Sequence, residues 1–294
     1  MEQALNRLPR GSKAAAVCPR EAGACILVTP AMRLLKQRRP DIQWAAVVDA
    51  FGSGLFEGNP DVSVILRPHL PPLWSWRPRL CVDFQGSIRS LILTELSGAE
   101  VTAALTDARG AWAYSTLAPE CGGHLAECYA ALAFHLGVPA QDVPPAVLSG
   151  ARNPKQPPEA VLYPFGAVRE RAWPPESFVD VAKALQNRGF AVTVAGGRNE
   201  RLSAFSAYRP YTAASVAEWK RLLAGAALYI GNHTWVTQMA AALQVPQVVL
   251  CPAGGCGRQA PWKAPAEVLA ADGAMASIDP AQVMAAIDRL RALP

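Results

Sequence analysis

Between Ala227 and Leu243 the chain changes character in a way that leaves few architectures open. Ala227-Leu-Tyr-Ile230 is a short apolar run and Gly231-Asn232 breaks it. His233, Thr234 and Trp235 then lead into a segment that closes on Ala240-Ala-Ala-Leu243. A run of that length bounded by turn residues reads as a buried strand, and the Ala-rich stretch behind it as a helix. A strand, a tight turn and a helix N-terminus aim backbone N–H groups at the strand end, which suits an anionic ligand.

The same alternation runs through both halves of the chain. In the first, Ala14–Cys18, Trp44–Val48, Val62–Leu66 and Arg79–Phe84 read as strands, the third entered through Gly58-Asn59-Pro60-Asp61. Ile26–Arg39 reads as one helix, with Pro30 near its start and Ala31, Leu34 and Leu35 on one face. Ser87–Leu96 and His124–Leu136 are further helices, closed by Gly98 and Gly137. Residues 68–78, with Pro68, Pro71, Pro72, Trp74, Trp76 and Pro78, read as a surface loop. Residues 139–158 are rich in Pro, Gly, Asn and Lys and read as an interdomain linker.

The second half restarts the pattern. Ala160–Tyr163, Ala191–Ala195, Ala227–Ile230 and Gln247–Cys251 read as strands, and Pro175–Asn187 as a helix stopped at Gly189. Ser215-Val-Ala-Glu218 is a capping box for a helix to about Ala224. Asp279-Pro280 opens a last helix with Val283, Ala286, Ile287 and Leu290 on one face. Strands alternating with helices imply parallel sheets. The expected fold is α/β: two Rossmann-like domains, residues 1–150 and 151–294, facing across a cleft. Ligands of such sheets sit beyond the C-terminal strand ends, which here are Pro19–Ala24, Gln85-Gly86, Pro164–Arg171, Gly196–Glu200 and Gly231–Trp235.

Composition narrows the function classes. With 51% apolar and 17% charged residues the 294-residue chain is no solvated tail. No apolar run reaches the roughly 18 residues of a membrane span, and the polar stretch Met1–Lys13 has no signal-peptide core. A cytoplasmic protein is expected. The net charge of +5 comes without a long basic run, so no nucleic-acid partner is expected. Arg33, Lys36, Arg38 and Arg39 read as a solvated helix face. The seven cysteines show no Cys-x-x-Cys pair and read as reduced, mostly buried thiols. Cys251 and Cys256 flank a Gly-rich turn but carry no metal assignment without a His partner.

At several of the expected strand ends the residues resemble those of glycosyltransferase family 9, the ADP-heptose:lipopolysaccharide heptosyltransferases and their relatives. The stretch Gly23-Ala-Cys-Ile-Leu-Val-Thr-Pro-Ala-Met-Arg-Leu-Leu35 is similar to the family's opening, and Glu57-Gly-Asn-Pro-Asp61 to its second landmark. Asp83-Phe-Gln-Gly86, Trp173-Pro-Pro-Glu-Ser-Phe178 and Gly196-Gly-Arg-Asn-Glu200 resemble three later motifs, with Arg171 where Lys is usual. Ile230-Gly-Asn232 and Ala240-Ala-Ala-Leu-Gln-Val-Pro246 frame the late loop. The order and spacing of these motifs carry the resemblance. It departs from the family at Ala24, where an Asp is usual. In the late loop His233, Thr234, Trp235 and Gln238 stand for the family's Asp, Ser, Gly and His.

The resemblance implies the GT-B fold and transfer of a sugar, heptose-like, from a nucleotide diphosphate donor to a lipopolysaccharide or other glycan acceptor. The reaction is expected to be inverting and metal-independent. The nucleotide sugar, such as ADP-heptose, is then co-substrate, with no further cofactor. The N-terminal domain would take the lipid-linked or glycan acceptor, with peripheral contact at the inner membrane, and the C-terminal domain the donor. Donor contacts are expected from Arg171, Gly196, Gly197, Glu200, Asn232, His233 and Thr234, and acceptor contacts from Arg20, Gly23 and Gln85. Ala24 cannot take a proton, which leaves Glu21 and His233 as candidate bases; Asp83 and His124 read as structural. Two alternatives stay open: a catalytically inactive binding or scaffold subunit, and a nucleotide-sugar epimerase.

Overall fold

The structure, a computed structural model, describes residues 4–166 and 172–291. The chain divides into two compact units, residues 1–149 and 150–294. The first is built on β1 (Lys13–Val17), β2 (Gln43–Val47), β3 (Val64–Leu66), β4 (Leu80–Asp83), β5 (Val101–Leu105) and β6 (Thr116–Ala118). They form one parallel sheet in the order β3-β2-β1-β4-β5-β6. The second carries β7 (Glu159–Tyr163), β8 (Ala191–Gly197), β9 (Arg209–Ala213), β10 (Leu228–Asn232), β11 (Gln247–Cys251) and β12 (Ala266–Ala270), parallel in the order β12-β11-β10-β7-β8-β9. Counted from its own first strand, each sheet has the same doubly wound order. The order reverses between β1 and β4 and between β7 and β10, and crevices for ligands open at such switch points.

Central strands in this arrangement are covered on both faces. Ala14, Ala15 and Ala16 of β1 are fully buried, and so are Val161, Leu162 and Ile230 of β7 and β10. The covering helices are α1 (Ala4–Arg7), α2 (Ala22–Leu27), α3 (Thr29–Arg38), α4 (Ala50–Phe56), α5 (Leu70–Trp76), α6 (Ile88–Glu95) and α7 (Leu125–Leu136) in the first unit. In the second they are α8 (Pro175–Asn187), α9 (Val216–Ala224), α10 (Trp235–Ala242) and α11 (Pro280–Arg291). No helix among the described residues is long and apolar enough to cross a membrane.

Several expectations need correction. The single helix read over Ile26–Arg39 is two, α2 and α3, meeting at Val28. Pro30 has no N–H to continue the ladder, and Thr29 Oγ1 donates to Ile26 O at 2.7 Å and accepts from Val147 N at 2.8 Å. The loop read over 68–78 contains α5: Pro71 and Pro72 sit in its first turn, where a missing N–H costs nothing, and Arg77 closes it in a left-handed conformation at φ 57°. The basic cluster is not a free solvated face. Arg33 pairs with Asp61 at 2.8 Å, Lys36 donates to the Pro40 and Ile42 carbonyls, and Arg39 holds Asp41 and the Leu5 carbonyl. Glu218 does not close the expected box: its carboxylate accepts from Ala214 N, one residue before the Ser215 cap. Cys18, Cys25, Cys81, Cys121 and Cys128 lie outside the disulfide that joins Cys251 and Cys256.

Candidate functional site

At the switch point of the first sheet, the chain leaves β1 through Cys18, Pro19, Arg20 and Glu21. Glu21 caps α2 with both carboxylate oxygens, accepting from Gly23 N at 2.8 Å and Ala24 N at 2.7 Å. Gly23 and Ala24 are themselves buried in the first turn of α2, so Gly23 offers its N–H to the cap rather than to a ligand. The exposed carboxylate beside residue 24 is therefore supplied from three residues upstream.

A cavity of about 70 Å³ opens at the ends of β1, β2 and β4, lined by Cys18, Arg20, Asp49, Gln85 and Arg89 among others. Arg20 and Arg89 are exposed and, among the described residues, neither makes an ion pair. Gln85 is positioned by its neighbours: its N–H donates to Asp83 Oδ1 at 2.8 Å and its Nε2 to Ser87 Oγ at 2.6 Å. Asp83 also accepts from Gly86 N and from Tyr114 Oη at 2.6 Å. Burial pushes its carboxyl above the ordinary range despite those donors. At 1% exposure Asp83 shapes the turn and does not reach solvent. His124 caps α7, its Nδ1 accepting from Ala126 N at 3.2 Å.

The second sheet's switch point is framed by Pro164-Phe165, Gly196-Gly197 and Asn232–Thr234. Asn232, 2% exposed, ties two strand ends together: Oδ1 accepts from Trp173 N at 2.9 Å and Nδ2 donates to Pro164 O at 2.9 Å. Thr234 is the N-cap of α10, whose first N–H groups face the strand end. Neither Gly196 nor Gly197 has a left-handed φ. Gly196 is small because a Cβ there would stand 3.0 Å from the Phe165 ring. Glu200 folds back, accepting from Gly197 N at 2.6 Å and from Tyr163 Oη at 2.8 Å. Arg171 lies outside the described residues.

Sequence reading gave no hint of an aromatic run beneath these loops. Phe165, Tyr163, Trp219 and Trp235 stack edge to face, with successive centroids 5.7, 5.4 and 5.6 Å apart. Trp235 thus packs on α9 through Trp219. Two further residues of the late loop share one partner: His233 Nε2 lies 2.8 Å from Gln259 O, and Gln238 Nε2 donates to the same carbonyl.

Residues 80–283 match the family model of glycosyltransferase family 9 (heptosyltransferase). No curated protein matches the sequence. Among solved structures, a family 9 glycosyl transferase from Veillonella parvula superposes with a TM-score of 0.83 at 16% identity, covering 95% of this chain and 97% of that one. E. coli ADP-heptose lps heptosyltransferase II gives 0.82 at 16% identity, covering 95% and 98%. E. coli heptosyltransferase WaaC with ADP gives 0.80 at 17%, covering 95% and 99%. At such identities the likeness speaks for the fold, the GT-B architecture of heptosyltransferase structures.

Proposed function

The chain belongs to glycosyltransferase family 9, and from that premise we propose that it transfers a heptose-like sugar from a nucleotide diphosphate donor to an anionic glycan acceptor of the lipopolysaccharide type. The observation that carries this reading is the opening of α10 at the β7/β10 switch point, directly behind the cap Thr234. N–H groups at a helix N-terminus stabilise a diphosphate and, better, the charge it gains on leaving. Arg171 is assigned to the same diphosphate, a role its bidentate guanidinium suits. ADP is the favoured nucleotide, since two of the similar structures carry ADP or ADP-heptose in their names. Glu200, held by Tyr163 and Gly197, is assigned to the nucleoside end.

Inversion requires one displacement. The acceptor hydroxyl oxygen bonds to the anomeric carbon, its proton passes to a base, and the carbon–oxygen bond to the diphosphate breaks with its electron pair. Glu21 is the base in this reading, because it places a carboxylate 2.7 Å from Ala24 N. Arg20 and Arg89, both without an ion-pair partner among the described residues, favour an acceptor carrying carboxylates or phosphates. The carboxylate pair that would hold a divalent ion against the diphosphate has no counterpart in this assignment.

The test is turnover with ADP-heptose and a panel of UDP- and GDP-sugars, with and without a lipid A-based acceptor, read by mass spectrometry. Acceptor-dependent product with release of nucleoside diphosphate is expected. Donor conversion without acceptor would indicate an epimerase. Silence across the panel, with no nucleotide binding by calorimetry, would leave only a binding subunit.

Where such an acceptor sits in a bilayer, the enzyme works as a cytoplasmic peripheral protein at the inner membrane. Ile88, Ile92 and Leu96 lie four residues apart on and just past α6 and are 51%, 50% and 54% exposed. Trp74 of α5 is 53% exposed, and its Nε1 donates to Leu96 O at 2.7 Å. Arg77 and Arg89 flank this apolar strip. A strip of this kind docks on an anionic interface. Flotation with vesicles containing anionic lipid should retain the wild type at low salt. Ile92→Glu should release it, and high salt should weaken binding. Equal recovery of the two proteins in the bound fraction would remove the membrane role from this strip.

A further inference from the structure

The turn after β11 brings two cysteines to His233, three side chains to which the proposed transfer assigns no step. Strand register pairs Asn232 with Leu250, and His233 N–H continues the ladder by donating to Leu250 O at 2.9 Å, so residue 233 stands at the level of Cys251. Cys251 ends β11 and is fully buried. The chain then reverses through Pro252–Gly255, with Gly255 N donating to Pro252 O and Gly254 and Gly255 at φ 91° and 77°. Only glycine takes up such angles readily, and two in succession bring Cys256 back to Cys251. A ring nitrogen of His233 and the two Sγ atoms lie within 4.8 Å of one another. The sequence alone left the two cysteines without a His partner; the fold supplies one.

Gln259 O only accepts, so His233 Nε2 donates to it, which leaves Nδ1 of a neutral ring as the nitrogen a cation would take. A backbone carbonyl holding the opposite N–H is the usual outer contact of a metal-bound imidazole. Gln238, 1% exposed, donates to the same carbonyl and fixes it in turn.

We propose that reduction of the Cys251–Cys256 bond converts this cluster into a site for a thiophilic divalent cation, zinc in the first instance, held by His233, Cys251 and Cys256. An external dithiol delivers two electrons and two protons to the disulfide and is itself oxidised to a disulfide. The cation then displaces the two thiol protons to solvent, and two thiolates neutralise its charge. Tetrahedral zinc with two sulfurs and one nitrogen places its ligand atoms about 3.5–3.8 Å apart, within reach of the cluster once the sulfurs separate. Three protein ligands leave one coordination position for water. Magnesium, which takes oxygen ligands, is excluded by this donor set.

The experiment uses the full chain, reduced with dithiothreitol, desalted anaerobically and titrated with Co²⁺. A thiolate-to-cobalt charge-transfer band in the near ultraviolet, saturating at about one ion per chain, is expected. One equivalent of Zn²⁺ should bleach it and excess Mg²⁺ should not. The Cys251→Ser/Cys256→Ser variant should lose the band, while Cys121→Ser, in the other unit, should keep it. His233→Ala should weaken cobalt binding by more than the roughly 10–100-fold that loss of an outer contact costs. If the double variant does not fold, the oxidised wild type serves as the same negative, since an intact disulfide offers no thiolate. No band in the reduced wild type, a band that survives oxidation, or a band lost only with Cys121→Ser would overturn the site. No nucleotide enters the assay, so its failure is separate from any failure of the transferase reading.

Discussion

Replacing Glu21 by Gln should lower kcat by about 10²–10⁴-fold while leaving the donor KM within a few-fold, the range general-base catalysis contributes. The carboxamide keeps one oxygen for the α2 cap but cannot take a proton. The two cap bonds, Gly23 N and Ala24 N to the two carboxylate oxygens, make a structural loss the obvious rival. A cap substitution costs about 0.5–2 kcal/mol, so a thermal melt on the same sample separates the explanations: an intact melt with a collapsed kcat assigns the proton transfer to Glu21. A second variant sharpens the test. Glu21→Gln with Ala24→Asp returns a carboxylate to the position the family resemblance favours, in the first turn of α2, and should recover part of the lost rate. Glu21→Gln with a rate near that of wild type would place the base elsewhere.

The same segment shows what the residues disclose before folding and what they do not. Gly, Pro and Asn after an apolar run mark strand ends, so Pro19–Ala24, Gln85-Gly86, Gly196–Glu200 and Gly231–Trp235 were all legible as strand ends, although Ala22–Ala24 already belong to α2. Central strands such as Ala14–Val17 and Gln247–Cys251 were legible because both faces are covered. The strands β5, β6, β9 and β12 were not. β5 is interior, but its Val-Thr-Ala-Ala-Leu has no run of large apolar residues; the other three lie at sheet edges, and β9 reads Arg-Pro-Tyr-Thr-Ala with most of its side chains open to water. An edge strand has no apolar run to announce it and tolerates Pro210. Long-range meetings were equally silent. Nothing local says that Gln259 O collects His233 and Gln238, or that Trp219, which looks like an ordinary core residue of α9, carries Trp235. The landmark Glu57–Asp61 is a comparable case. Asn59 accepts from Asp61 N and donates to Val147 O, and Asp61 holds Arg33, so those motif residues hold the unit together.

Trp173→Ala should destabilise the second unit by about 3–5 kcal/mol, the usual cost of truncating a fully buried large aromatic. In the sequence, Trp173-Pro-Pro stands beside Arg171 and invites a role in the diphosphate site. The structure gives the indole a different task. Trp173 is fully buried, packs edge to face on Phe178 at 4.8 Å, and donates from Nε1 to Ile278 O at 2.8 Å. Its backbone N–H donates to Asn232 Oδ1. One residue therefore joins the start of α8, the segment before α11 and the end of β10. Trp173→Phe separates the two contributions: it keeps a ring against Phe178 but leaves the Ile278 carbonyl without its donor, and should cost about 1–3 kcal/mol. Urea unfolding followed by hydrogen exchange reads both, since the loss should appear in α8, β10 and α11 while protection of β1 and β4 is unchanged. Trp173 meets the site through its backbone N–H on Asn232, while the indole faces Phe178 and Ile278. Weakened nucleotide binding should therefore follow the loss of protection at β10, whereas weakened binding with β10 still fully protected would mean that the indole meets the donor directly.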